Sequence, residues 1–153
     1  MPKKLRTLII VAALVSVPFL AATAAADKVF HTLHADLQAV NGAPLKSGFV
    51  NDVHTNGVVN GAVEIYQLNG ARPNTTYQVS ILLYPGDPTC SSTPLVFPTS
   101  TVTTNTAGNG TGRFKFPAAP PGPLSGIQSG IAWIFTGPNG VDYRTGCNLL
   151  TLD

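Results

Sequence analysis

From Val29 onward, apolar and polar side chains alternate in short runs separated by glycine, proline and asparagine, the period of two that extended strands produce. The first run, Val29 to Val40, places His31, Leu33, Ala35, Leu37 and Ala39 on one face and His34, Asp36 and Gln38 on the other. Such alternation predicts a strand with one buried face. Asn41-Gly42-Ala43-Pro44 turns the chain, Gly48 to Val53 reads as a short strand, and Val58 to Leu68 as a longer one ending at Asn69-Gly70. Tyr77, Val79, Ile81 and Leu83 then alternate with Gln78, Ser80, Leu82 and Tyr84. Both faces of that run carry apolar groups, which predicts a strand in the interior of a sheet.

The second half continues in the same way. Leu95 to Asn105 reads as a strand broken by Pro98, and a proline without a ladder N–H predicts an edge or a bulge. Thr111 to Phe116 is expected to form a hairpin with the second half of that strand through Ala107-Gly108-Asn109-Gly110. Residues Pro117 to Pro123 hold four prolines in seven positions and are expected to run extended over the surface. Gly126 to Thr136, with Ile127, Ile131, Trp133 and Phe135 on one side, is a further strand. Gly137-Pro138-Asn139-Gly140 turns it into Val141 to Arg144, and Leu149 to Leu152 closes the fold. No run has the length and period of a helix of ten or more residues. Short strands with a turn signal in every gap predict an all-β sandwich or barrel of about 7–9 strands.

The N-terminus obeys a different pattern. Met1 to Arg6 is short and cationic, Leu8 to Ala22 is apolar apart from the interruption at Pro18, and Ala24-Ala25-Ala26 offers small residues for cleavage. Residues 1–26 therefore read as a signal peptide, with a mature secreted or periplasmic chain beginning at Asp27 as a single domain over 27–153. The competing reading is an uncleaved anchor, because Leu8 to Ala26 is 19 residues and just spans a bilayer. The formal charge of +2 owes Lys3, Lys4 and Arg6 to this segment; without them six basic residues face seven acidic ones. That balance excludes a basic surface for nucleic acid, and no second apolar stretch would hold the mature chain in a membrane. Cys90 and Cys147 are the only cysteines, and in an oxidising compartment they are expected to form one disulfide rather than two free thiols.

Pro73-Asn74-Thr75-Thr76-Tyr77-Gln78-Val79 resembles the Pro-Gly-Thr-x-Tyr-x-Val stretch where a strand enters the sheet in fibronectin type III domains. The resemblance implies a structural tyrosine corner at Pro73 and Tyr77, in which the Tyr77 hydroxyl bonds backbone a few residues upstream. It covers seven residues and implies an immunoglobulin-like antiparallel β-sandwich. The whole chain also resembles the broad class of small secreted Thr/Asn/Gly-rich β-sandwich proteins of bacteria, a resemblance that implies no activity.

Candidate chemistry is sparse. Ser125-Gly126 and Ser129-Gly130 lack the leading glycine of a nucleophile elbow, and Glu64 is the sole glutamate, so no Glu pair for glycoside hydrolysis exists. Asn105 to Gly112 is glycine-rich but has no acidic residue for calcium. His31, His34 and His54, with Asp36 and Asp52 nearby, are the only potential metal ligands, and strand parity separates His31 from His34. Two imidazoles without a third ligand make a weak site. Tyr66, Tyr84, Trp133 and Tyr143 would form a sugar-stacking platform if exposed together, although Trp133 shares the parity of Ile131 and Phe135 and reads as core. Asn74 and Asn109 head sequons for glycosylation in a eukaryotic secretory pathway. The expectation is a non-enzymatic binding or structural module without cofactor, catalytic residue or tightly held metal, acting on a protein or glycan ligand. The alternatives are a carbohydrate-binding module and a His-based metal-binding oxidoreductase.

Overall fold

The computed structural model describes residues 30–55, 61–117, 122–123 and 126–151. The expected signal peptide and cleavage site, the first residues of the Val58 to Leu68 run and most of the proline-rich stretch lie outside them. Nine strands are present: β1 (Phe30–Ala39), β2 (Ser47–Thr55), β3 (Ala62–Asn69), β4 (Thr76–Tyr84), β5 (Leu95–Thr103), β6 (Gly110–Lys115), β7 (Gln128–Gly137), β8 (Gly140–Thr145) and β9 (Asn148–Thr151). The described residues contain no helix, and all strand pairs are antiparallel. The order β5-β4-β7-β8-β1-β2-β3-β6 makes one nearly closed sheet, with β9 against the first part of β7.

Closure depends on β1. Its first residues pair with β2 as far as Asp36 opposite Phe49, whereas Leu37, Gln38 and Ala39 pair with Thr145, Arg144 and Tyr143 of β8. One strand thus serves two ladders, and the ladders face each other over a common core. The chain leaves β1 through Asn41 (φ 55°) and Gly42 (φ 68°), with the Ala43 N–H donated to the Val40 carbonyl at 3.1 Å. Two positive φ angles in succession define the I′ turn that Asn-Gly favours. The predicted alternation of β1 is observed, with Ala35 and Leu37 buried and His34, Asp36 and Gln38 exposed; Ala39, beyond the edge of the core, is exposed as well.

β4 lies between β5 and β7, as its two apolar faces require. β5 ends the sheet, and a register shift opposite Gln78 and Ser80 accommodates Pro98. The expected β5–β6 hairpin is not what forms. β6 pairs with β3 instead, Gly112 opposite Tyr66 and Gly110 opposite Leu68, and lies across β5 without sharing its ladder. The reason is close approach: a Cβ on Gly112 would stand 2.8 Å from a Val102 methyl, and one on Gly110 2.8 Å from the Thr103 carbonyl. These glycines let one sheet edge fold over the other.

Val50, Tyr66, Leu68, Tyr77, Val79, Val102, Trp133, Phe135 and Tyr143 fill the interior with no exposed surface. Each large side chain removed from water in this way contributes about 1.5–3 kcal/mol. Tyr66 and Phe135 meet edge to face, with ring centroids 5.9 Å apart. Cys90 and Cys147 are joined in a disulfide, which ties the β4–β5 loop to the start of β9.

Candidate functional site

A polar seam runs through this apolar interior. On β2 and β3 the inward positions include Val50 and Asp52, and Glu64, Tyr66 and Leu68. Register places Asp52 directly opposite Glu64, with Leu33 and Phe114 completing the rung on β1 and β6. Two carboxyl groups therefore stand side by side, Asp52 4 % and Glu64 1 % exposed. Trp133 donates its indole N–H to Glu64 Oε1 at 2.8 Å, and the Tyr66 hydroxyl bonds Glu64 Oε2. Tyr66 also meets Thr99 Oγ1 at 2.8 Å, and Thr99 donates to the Val79 carbonyl at 3.4 Å.

Burial pushes the Glu64 carboxyl up to about 7, against the hydrogen bonds from Tyr66 and Trp133, which favour the ionised form. The same burial raises Tyr66 above its ordinary range, reinforced by the neighbouring Glu64 charge. Hydroxyl protons show what a neutral Glu64 would do. With Glu64 ionised, Tyr66 donates to its carboxylate; with Glu64 neutral, the acid proton would go to Tyr66 and Tyr66 would donate to Thr99, whose own proton goes to the Val79 carbonyl. Asp52 is less well served. Burial raises its carboxyl, the His54 charge opposes that shift, and its Oδ1 has no hydrogen-bond partner among the described residues.

The seam leads toward one end of the molecule. His31 of β1 and His54 of β2 are directly opposite and follow the inward parity of Leu33 and Asp52; their ring centroids are 5.5 Å apart and their planes 26° apart. With Leu33, Leu149 and Leu150 they border an open cleft of about 400 Å³. His34 stands on the opposite face, bonded to Asn51 Oδ1 at 2.5 Å and to Asp36 Oδ1 at 3.3 Å, and tilted against Phe49. The expected separation of His31 and His34 is thus observed, and His54 joins His31. Among the described residues no group of three His, Cys, Asp or Glu side chains is placed to hold a metal ion. A second depression, at the far end of β3, is bordered by Asn69, Thr104, Asn105 and Asn109.

The bond expected of a tyrosine corner, from the Tyr77 hydroxyl to upstream backbone, is not the one that forms. Tyr77 is fully buried and its hydroxyl lies 3.2 Å from that of Tyr143. Tyr143 in turn donates to the Pro44 carbonyl at 2.9 Å and accepts the Arg72 N–H at 3.3 Å, so Tyr77 is the donor between the two phenols. The link to backbone upstream of Tyr77 therefore runs through Tyr143. Pro73 is exposed and its carbonyl accepts the Thr75 hydroxyl at 2.9 Å. Arg72 Nε reaches Asp142 Oδ2 at 3.1 Å beside this group.

Tyr66, Tyr84, Trp133 and Tyr143 are all buried and form no surface platform. Among the described residues, the exposed large apolar side chains are Ile65, Leu149 and three consecutive residues of β5, Leu95, Val96 and Phe97, at 47, 55 and 44 % exposure. Sequence reasoning passed over both this stretch and the Asp52–Glu64 pair. A signal for the pair was present, since Glu64 shares its parity with Tyr66 and Leu68 in an otherwise apolar row. Comparison with protein-family models, with curated proteins and with solved structures found no match.

Proposed function

We propose that this protein is a secreted, non-enzymatic structural module that binds a second copy of itself along the free edge of β5. The observation that carries this reading is the exposure of Leu95, Val96 and Phe97 at the end of the sheet. Edge strands of monomeric proteins are ordinarily guarded by charges, prolines or covering elements. Here Pro98 guards the strand and β6 covers its second half at Thr101 to Thr103, which leaves Leu95 to Phe97 uncovered, and from Thr76 to Thr103 the sole charged residue is Asp87, in the disulfide loop. An uncharged apolar edge is self-complementary about a two-fold axis, because no like charges meet when it pairs with its own copy.

Secretion is supported by the cationic and apolar N-terminal pattern and by the disulfide, which suits an oxidising extracellular or periplasmic setting. An immunoglobulin-like sandwich, in the broad sense of two antiparallel ladders over one core, is supported by the two sets β1-β2-β3-β6 and β5-β4-β7-β8. In the immunoglobulin order the third strand crosses to the other sheet, whereas here β3 stays beside β2, so the reading is of a barrel-like relative. The glycan-binding alternative loses its support with the burial of the four aromatic residues.

Sedimentation equilibrium tests the self-association. The wild type is expected to show a concentration-dependent monomer–dimer equilibrium, and Val96→Lys to remain monomeric with an unchanged circular dichroism spectrum. A wild type that stays monomeric at millimolar concentration, or a lysine variant that dimerises equally, would overturn the reading.

A further inference from the structure

We propose that His31 and His54 form a weak, exchangeable site for a tetrahedral divalent ion of the zinc class, open on one side to the cleft at the end of the molecule. The two imidazoles come from adjacent strands at directly opposed positions, which antiparallel pairing holds within reach of each other. Their spacing fits a shared ion. With a Zn–N bond of about 2.1 Å, a ring centroid lies about 3.2 Å from the metal, and two rings at the tetrahedral angle stand about 5.2 Å apart. The centroids are 5.5 Å apart here in a stacked arrangement, so side-chain rotations that turn the rings edge-on to each other bring one nitrogen of each onto a common ion.

The surroundings suit an ion that keeps other ligands. The cleft of about 400 Å³ in front of the rings leaves room for the remaining positions to be taken by water or by a small donor molecule. Leu33, Leu149 and Leu150 wall it with apolar surface. Behind them, Asp52 is the next inward residue on β2 and is buried. Two protein ligands make affinity modest, which is compatible with the expectation that no metal is tightly held. The ion would be acquired and lost with its concentration outside the cell.

Isothermal titration of untagged protein with zinc chloride tests the site. One equivalent is expected to bind with a dissociation constant on the order of micromolar, well short of a closed structural site. His31→Asn is expected to weaken binding at least about tenfold, as loss of one of two ligands requires. His34→Asn, on the opposite face, is expected to leave it unchanged. Cobalt(II) in place of zinc should give the intense visible bands of a tetrahedral centre, lost in the His31 variant. Since His31 is exposed, its replacement leaves the core intact even if His54→Asn disturbs folding. Absence of saturable binding at millimolar zinc, octahedral cobalt spectra, or equal losses for the His31 and His34 variants would overturn the proposal.

Discussion

Glu64 is the residue at which folding and pH are most tightly joined. Its carboxyl is nearly inaccessible and, by burial, titrates at about 7 rather than near 4.5. A folded state that holds this proton more firmly than the unfolded chain is favoured where the acid is neutral in both. That stability is fully present below about pH 4.5 and is lost as pH rises through 7. The difference between the two values corresponds to on the order of 3 kcal/mol. Urea denaturation midpoints are therefore expected to fall between pH 5 and pH 8, and in Glu64→Gln most of that fall should disappear. A Gln variant with the slope of the wild type would assign the pH dependence elsewhere. The alternation of Glu64 with Tyr66 and Leu68 showed in the sequence that this carboxyl faces inward. Its partner Trp133 is 69 positions away, and Thr99, the partner of Tyr66, is 33 positions from that tyrosine; neither could be read from it. Tyr77 illustrates the same division: its burial follows from parity, whereas its hydroxyl partner Tyr143 comes from β8.

Among the strands, β7 shows how a single glycine conditions a covalent bond. Gly130 lies under the disulfide, and a Cβ there would be 2.5 Å from Cys90 Sγ and 2.7 Å from the Asp87 carbonyl. The Asp87 carbonyl also accepts the Gly130 N–H at 2.9 Å, so the backbone cannot retreat without losing that bond. The loop has little freedom to yield, because the Asp87 side chain accepts the N–H groups of Thr89, Ser91 and Ser92 at 2.7–2.9 Å. The Thr89 hydroxyl, followed by the N–H groups of Ser92 and Thr89, holds the Asp87 carboxyl well below its ordinary range. Gly130→Ala is expected to destabilise by about 1–3 kcal/mol through overpacking and to leave part of the protein with free thiols. Thiol titration of the unfolded, unreduced protein together with its denaturation midpoint checks this; full disulfide formation at an unchanged midpoint would refute it. The strands themselves were legible because turn chemistry brackets them. The partner of β6 was not, because Ala107 to Gly110 offers the turn of a hairpin while the glycines at 110 and 112 serve packing across β5.

At the scale of the whole molecule, the disulfide closes a loop of 57 positions and anchors β9, a strand of four residues paired only with β7. The chain-entropy account gives about 4 kcal/mol for such a loop. Cys90→Ser with Cys147→Ser is accordingly expected to lower the urea midpoint by that order while the β-rich circular dichroism spectrum persists. An unchanged midpoint would mean that the cross-link constrains nothing in the unfolded chain. By itself, the sequence determined the all-β character, the positions of the strands, the buried faces of β1, β4 and β7, and the pairing of its two cysteines. Each of these rests on local alternation, on turn residues or on simple counting. Only the tertiary structure decided that β1 serves two ladders, that β6 joins β3, that Asp52 meets Glu64 and that His31 meets His54. Those outcomes depend on register between strands distant in the chain, where a slip of one residue would turn every side chain to the other face. The buried acids and the paired imidazoles are consequences of that register.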